Sequence, residues 1–245
     1  MASPKPSGEV VKGDREYDGR VILYIIKADQ TNWINFIKPL VLAEELQLPY
    51  LISVIDTRDE SYRQVHPERY VPALRDEDPE TQRRIIVFES TACLQYLSDR
   101  FDSHGSWTGR NAWEKAQVMS WTAYQTAGLG PTAKYWLYFM KGYPNRQNPQ
   151  SLPKVTAKLH ENVLTQWNIL EKRLSLPQQS YVALPERPTI ADISYFPYAM
   201  PWMFNFFGVD IKDWPNIQGW SERLLARPAV QRVVERGPKY GHDLE

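Results

Sequence analysis

The feature that most constrains the fold is a change of pattern near the middle of the chain. Before it, short β-branched and apolar runs alternate with helical segments, whereas from Asn111 onwards almost every segment is helical. The two patterns meet at Asp102–Gly109, whose serine and glycine content is typical of a linker. The chain is therefore predicted to contain a disordered tail over 1–19, an α/β domain over 20–102, a linker over 103–110, an all-helical domain over 111–236 and a tail over 237–245.

Apolar runs predict four strands and two helices in the front domain. Pro39 restricts the first helix, because proline lacks the N–H of a helix interior and is tolerated only in the first turn. We therefore expect that helix to begin near Asn35. The predicted strands are Arg20–Ile26, Pro49–Ile55, Tyr70–Leu74 and Ile85–Phe88, and the predicted helices are Phe36–Leu46 and Glu89–Phe101.

Proline and glycine residues divide the back domain into five predicted helices. Thr189 and Asp192 lie near the start of the fourth, where Asp192 is expected to act as a structural cap and not as an acid catalyst. The predicted helices are Asn111–Thr126, Pro131–Met140, Val155–Leu174, Ala191–Phe206 and Ile217–Val234.

Charge and apolar content argue against several classes of function. Basic and acidic residues number 29 each, so the net charge is zero, which argues against nucleic acid or an anionic membrane surface as a partner. No apolar run approaches the ~20 residues of a membrane-spanning helix, and the N-terminus lacks the apolar core of a secretion signal. Cys93 is the only cysteine and is expected to be buried and inert, and the four histidines have no metal-ligand spacing. These features predict a soluble cytoplasmic protein without a metal.

Pro72 is the first residue with a candidate binding role. An ordinary edge-strand proline is the simpler interpretation, since only ~5–6% of X-Pro bonds in folded proteins are cis. However, Pro72 opens a strand about 17 residues before the Glu89-Ser90 helix start. That order of motifs favours a cis bond that turns the N–H and C=O of Val71 toward a peptide ligand.

Glu89 and Ser90 are the second candidate. Helix N-terminal N–H groups bind carboxylates, a serine hydroxyl adds a donor, and a glutamate can pair with an ammonium group. Together they suit the α-amino acid end of a γ-glutamyl group. The alternative is that Ser90 merely caps the helix.

Asn35 is the candidate for activating a thiol. Helix N-termini and hydrogen-bond donors lower a thiol pKa from ~8.5 toward neutrality, and an asparagine amide at that end can donate to a thiolate. Thr31, Asn32 and Tyr24 are competing donors, and a plain Asn cap is the alternative.

Aromatic residues cluster after the linker. Each of them taken alone is more often a core residue than a pocket residue. Taken together they suit an apolar or aromatic small-molecule substrate. The cluster consists of Tyr124, Tyr135, Trp136, Tyr138 and Phe139.

These motifs together resemble the glutathione transferase superfamily, specifically the fungal group related to the yeast nitrogen-regulation prion protein. The resemblance covers residues 19–236 and implies a thioredoxin-like front domain, an all-α back domain and a homodimer. The motifs that carry it are Asn35–Leu46, His66–Leu74, Phe88–Ala92, Trp121–Pro131, Thr189–Asp192 and Trp220 with Arg227–Val230.

By position, the resemblance implies that glutathione is the cofactor. Asn35 would then face its sulfur, with Thr31 and Asn32 as neighbours, and Tyr70, Val71, Pro72, Glu89 and Ser90 would bind the tripeptide. Tyr70 stands where the family often has a basic residue for the glycine carboxylate. A phenol brings one hydrogen bond and no charge, so a lower affinity is expected.

The implied activity is transfer of glutathione to a hydrophobic electrophile, with fungal secondary metabolism as a natural context. Glutathione-dependent cis-trans isomerisation by addition and elimination would use the same thiolate. A non-catalytic binding or regulatory protein is a further alternative, favoured by Tyr70. Reduction of disulfides or peroxides with glutathione is the weakest of the four.

Overall fold

The computed structural model describes residues 7–244 of the chain. These residues divide into two units, one formed by 7–108 together with 225–244 and the other by 109–224. The first division falls inside the predicted linker. The second division, between residues 224 and 225, lies inside the predicted helical domain of residues 111–236. The segment from residue 225 onwards belongs to the front unit instead.

A five-stranded sheet with the order β1-β3-β2-β4-β5 forms the centre of the first unit. β1 and β2 run parallel to β3, whereas β4 runs antiparallel to both β2 and β5. Every residue of β2 and β3 is buried, which explains their uninterrupted apolar sequences. The strands are β1 (Glu9–Lys12), β2 (Val21–Ile25), β3 (Tyr50–Val54), β4 (Ala73–Glu77) and β5 (Arg84–Phe88).

Helices pack with this sheet, and the described secondary-structure elements of the second unit are all helices, which confirms the predicted thioredoxin-like and all-helical classes. In the first unit, α1 contacts both α2 and α9. The helices are α1 (Trp33–Glu45), α2 (Ser90–Phe101), α3 (Ala112–Ala127), α4 (Leu129–Lys141), α5 (Pro153–Leu174), α6 (Ile190–Tyr195), α7 (Pro201–Phe206), α8 (Pro215–Leu225) and α9 (Pro228–Arg236).

Strand β1 corrects the prediction of a disordered segment over 1–19. Residues 1–6 lie outside the described part of the chain, but β1 pairs with Leu51–Val54 of β3. The residues that follow β1 are also held, since the Tyr17 hydroxyl donates to Asp76 at 2.8 Å and the Tyr24 hydroxyl donates to Asp14 at 2.7 Å. An edge strand with only two apolar residues gives little hydrophobic signal, which is why the pattern missed it.

Helix α1 begins at Trp33, earlier than predicted, and contains Pro39 in its interior. Proline removes one helical hydrogen bond, to the carbonyl four residues earlier, at a cost of ~3 kcal/mol. Burial of Phe36, Ile37 and Leu40 offsets this cost, because each buried apolar side chain contributes ~1.5–3 kcal/mol. Tertiary packing therefore overrides the local preference.

Prolines also interrupt two predicted helices. The segment expected as Ala191–Phe206 divides into α6 and α7 around Pro197 and Pro201. The segment expected as Ile217–Val234 divides into α8 and α9 at Arg227, which precedes Pro228 and adopts extended angles of φ −77° and ψ 128°. The residue before a proline disfavours helical angles, so the chain turns there.

Asp192 is a buried structural cap, as predicted. Its carboxylate accepts hydrogen bonds from the Thr189 N–H at 2.8 Å, the Val182 N–H at 2.7 Å and the Trp220 Nε1–H at 2.9 Å. Burial raises its pKa, while these donors act in the opposite direction.

Replacing Asp192 by alanine should lower the free energy of unfolding by about 3–5 kcal/mol, because several buried N–H donors lose their acceptor. Urea denaturation of Asp192→Ala measures this loss. The exposed Asp213→Ala variant serves as a control and should change stability by less than about 0.5 kcal/mol. Equal stability of the two variants would contradict the assigned role of Asp192.

Candidate active site

The register of β4 brings three candidate segments to one end of the sheet. Ala73, the first residue of β4, pairs with Tyr24 of β2 on one side and with Phe88 of β5 on the other. Because both pairings are antiparallel, the segment before β4 meets the segments that follow β2 and β5. Val71-Pro72, Glu89-Ser90 and the loop that leads into α1 therefore emerge together.

The Val71–Pro72 peptide bond is cis, as the order of motifs favoured. Val71 packs against the buried cluster that includes Tyr24 and Tyr62. The Tyr62 hydroxyl donates to the carbonyl oxygen of Tyr70 at 3.2 Å, which fixes the backbone just before the turn. The Tyr70 side chain itself is 49% exposed.

Glu89 adopts φ 76° and ψ 131°, a conformation that non-glycine residues rarely occupy. Such strain is often retained where a side chain must be held in a functional position. Glu89 is also the N-cap residue of α2, so Ser90 is the first helical residue and not the cap. The Glu89 side chain makes no capping hydrogen bond, and the first turn of α2 contains no acidic residue. The positive end of α2 therefore suits a ligand carboxylate.

His66 is a neighbour of Glu89 whose place in this site the sequence analysis did not predict. It is 2% exposed, and its Nδ1 accepts the Glu68 N–H at 3.1 Å, so the proton of the neutral ring is on Nε2. That nitrogen faces the Glu89 carboxylate at 3.7 Å. The ring also contacts Phe88 and Tyr70, with centroid distances of 5.0 and 5.5 Å.

Lys38 of α1 is a second buried basic residue that the sequence pattern missed. It is 2% exposed, and burial lowers its pKa to about 7, while the charge of Glu89 acts in the opposite direction. A lysine in an amphipathic pattern is normally a surface residue, so only the folded structure identifies this one as buried.

The start of α1 suits an anion. Asn32 is its N-cap residue but makes no side-chain cap, and among the described residues the first turn carries no acidic side chain. Asn35 lies in that first turn and is half-buried. The N-terminal N–H groups and the helix dipole would therefore favour a thiolate placed there.

The three other candidate donors to a thiolate, Thr31, Asn32 and Tyr24, differ in the hydrogen bonds that they already make. The Asn32 amide braces its own loop, since Nδ2 donates to the Lys27 carbonyl at 3.0 Å and Oδ1 accepts the Asp29 N–H at 2.8 Å. The Thr31 hydroxyl is held only weakly, at 3.4 Å from Asp29 Oδ1. Tyr24 is fully buried with its hydroxyl bonded to Asp14, and burial raises its pKa, which removes it from the candidates.

Cys93 is inert, as expected. It is fully buried in α2, and burial raises the pKa of its thiol. No group of His, Cys, Asp and Glu side chains within residues 7–244 could hold a metal ion. In the same part of the chain no helix has both the length and the apolar character needed to cross a bilayer.

The aromatic candidates of the second unit divide into two groups. Tyr124, Tyr135 and Tyr138 are 38%, 52% and 41% exposed, and Phe139 is half-buried. Trp136 is different, since it is 8% exposed and stacks on Phe207 with a centroid distance of 4.2 Å. Trp136 is therefore a core residue, which corrects its prediction as part of a substrate surface.

Lys38→Met should stabilise the protein most at neutral pH. The pKa of the Lys38 ammonium group is about 10.5 in the unfolded chain, whereas burial lowers this pKa to about 7 in the folded protein. Stability is therefore reduced as the pH falls from 10.5 toward 7, at up to about 1.4 kcal/mol per pH unit.

Urea denaturation over this pH range measures the effect as the stability difference between Lys38→Met and the natural protein. The difference should be largest near pH 7 and should shrink toward pH 10.5. The exposed Lys154→Met variant should show no such trend. A difference for Lys38→Met that does not vary with pH would contradict the buried, deprotonated lysine.

Comparison with known proteins identifies relatives of both units. Residues 37–100 match the family model of the glutathione S-transferase N-terminal domain, and residues 153–223 match that of the C-terminal domain. The glutathione S-transferase aclG of Aspergillus oryzae is 66% identical over 93% of this chain and all of that protein. The trimodular acetylaranotin synthesis protein ataIMG of Aspergillus terreus is 58% identical over 88% of this chain, which corresponds to 21% of that longer protein.

A solved structure with the same fold is the glutathione transferase URE2P8 from Phanerochaete chrysosporium, determined with oxidized glutathione. It superposes with a TM-score of 0.77 at 24% identity and covers 92% of this chain and 98% of its own. This likeness agrees with the thioredoxin-like sheet and the helical second unit described above.

Proposed function

The chain belongs to the glutathione S-transferase family, and we propose that it transfers glutathione to a hydrophobic electrophile of fungal secondary metabolism. The observation that carries this proposal is the convergence of Val71-Pro72, Glu89-Ser90 and the start of α1 at one end of the sheet. The relative named for acetylaranotin synthesis supports the metabolic context.

The γ-glutamyl end of glutathione binds at Glu89 and Ser90. Its α-carboxylate accepts hydrogen bonds from the N-terminal N–H groups of α2 and from the Ser90 hydroxyl. Its α-ammonium pairs with the Glu89 carboxylate, whose side chain is 66% exposed and so accessible to a ligand. Val71 offers its backbone N–H and C=O to the cysteinyl residue, and Tyr70 offers one hydroxyl to the glycine carboxylate.

The sulfur binds at the start of α1, where Asn35 donates to the thiolate. Thr31 is the second donor, because its hydroxyl is only weakly engaged within the loop. The thiol proton is lost to solvent, and the sulfur lone pair forms a C–S bond with an electrophilic carbon of the substrate. The displaced electron pair leaves with a leaving group or is protonated at the neighbouring carbon. The hydrophobic substrate contacts the exposed aromatic residues Tyr124, Tyr135 and Tyr138 and the half-buried Phe139.

Mass spectrometry of candidate apolar electrophiles incubated with the protein and glutathione tests this function. A mass increase equal to glutathione indicates transfer. An unchanged mass with a shifted retention time indicates isomerisation instead. Thermal stabilisation by glutathione without any product supports the non-catalytic alternative. Absence of both stabilisation and product contradicts the proposal.

Glu89→Gln should raise the KM for glutathione by about tenfold or more, because the ligand ammonium loses its counter-charge, a loss of ~1.4 kcal/mol or more. The kcat should change less, since Glu89 is assigned to binding and not to the sulfur. Steady-state kinetics with glutathione as the varied substrate measures both. Glu235→Gln on the exposed face of α9 is the matched control and should leave KM unaltered.

Asn35→Ala should raise the pKa of the bound glutathione thiol toward ~8.5 and lower kcat at neutral pH, with recovery at alkaline pH. The pH–rate profile measures this shift. Thr31→Val should produce a smaller shift in the same direction. A profile that is unchanged in Asn35→Ala but shifted in Thr31→Val would transfer the activating role to Thr31.

A further inference from the structure

The chain after α9 returns to the loop that precedes α1. The Ala28 N–H donates to the Tyr240 carbonyl at 2.9 Å, and His242 Nε2–H donates to the Ala28 carbonyl at 3.0 Å. Both backbone polar groups of Ala28 are therefore satisfied by residues 237–244, the C-terminal segment. Ala28 is 4% exposed beneath this contact.

Two glycines allow the C-terminal segment to approach this closely. A Cβ at Gly241 would lie 3.1 Å from Lys27 Cα, and Gly241 also has a φ of +81°. A Cβ at Gly237 would lie 2.6 Å from Cε3 of Trp33, the first residue of α1. Tyr240, between them, is buried and contacts the Phe36 ring edge-to-face at 6.2 Å. The segment thus contacts both ends of the loop formed by residues 27–32.

Hydrogen bonds within the loop 27–32 connect its residues to one another. Asp29 Oδ1 accepts hydrogen bonds from the N–H groups of Thr31 and Asn32, each at 2.7 Å. The Asn32 side chain in turn donates to the Lys27 carbonyl and accepts from the Asp29 N–H. Because its internal bonds hold it as one body, its placement at the start of α1 depends on what holds it from outside. Two hydrogen bonds that do so join Ala28 to Tyr240 and to His242.

We propose that the C-terminal segment is a positioning element of the thiol site, with His242 as its key side chain. This inference rests on the function proposed above. By holding Ala28, the segment keeps the Thr31 hydroxyl and the first N–H groups of α1 in place around the sulfur. A displacement of the loop by about 1 Å would weaken stabilisation of the thiolate without removing any group that touches glutathione.

His242 can be varied without disturbing the core, because its side chain is exposed while its ring nitrogen contacts Ala28. His242→Ala should lower kcat at neutral pH by about fivefold to tenfold and raise the pKa of the bound thiol, with KM for glutathione within about twofold. His242→Gln, which retains an N–H donor, should restore most of the activity. His104→Ala, at an exposed histidine of the same unit, should behave like the natural protein.

Gly241→Ala should also displace the loop 27–32, because the added Cβ would lie only 3.1 Å from Lys27 Cα. Hydrogen exchange of the peptide that contains residues 27–34 reports directly on the loop. We expect faster exchange there in both His242→Ala and Gly241→Ala, with exchange in α5 unchanged.

The measurements distinguish this inference from the proposed function. The thiolate of bound glutathione is titrated by its ultraviolet absorbance, which requires no turnover. If the natural protein neither binds nor turns over glutathione, the proposed function fails and this inference fails with it. If the natural protein is active and His242→Ala matches it in kcat and thiol pKa, only this inference is overturned. Faster loop exchange without any change in thiol pKa overturns it as well.

Discussion

Ala73 occupies the position on which the candidate site depends, because it pairs with Tyr24 of β2 and with Phe88 of β5 at once. These two pairings bring the turn before β4, the start of α2 and the loop after β2 to the same end of the sheet. A shift of one residue in this register would turn every side chain of β4 to the opposite face. The complete burial of Ala73 and Leu74 opposes such a shift.

Electrostatics at this end of the sheet is organised around Glu89. Its carboxylate faces the buried His66 ring, and it interacts electrostatically with Lys38 of α1 when that lysine is protonated. The N-termini of α1 and α2 add partial positive charge. The arrangement therefore combines one anionic side chain with the partial positive charge of two helix N-termini, which suits a ligand that carries an ammonium group, carboxylates and a thiolate.

Local sequence signals predicted the parts of the fold that depend on short, strongly apolar segments or on motif order. β2, β3 and the Pro72 and Glu89-Ser90 elements are of this kind. β1 was missed because an edge strand needs few apolar residues, and α1 began early because packing outweighed the proline at position 39. His66 and Lys38 could not be assigned, since their role follows from burial, which neither residue type indicates. The sequence predicts a tail over residues 237–245, because the hydrogen bonds of Tyr240 and His242 are to Ala28, more than 200 positions away.

The front unit is discontinuous in sequence, and this affects the order in which the protein is built. Arg227 forms a two-point ion pair with Glu45 at 2.6 and 2.7 Å, and α9 packs on α1. A ribosome must therefore synthesise the whole helical unit before the first unit can be completed. Until α9 is synthesised, the face of α1 that packs against it stays exposed. Exposed hydrophobic surface of this kind favours aggregation and binding by chaperones.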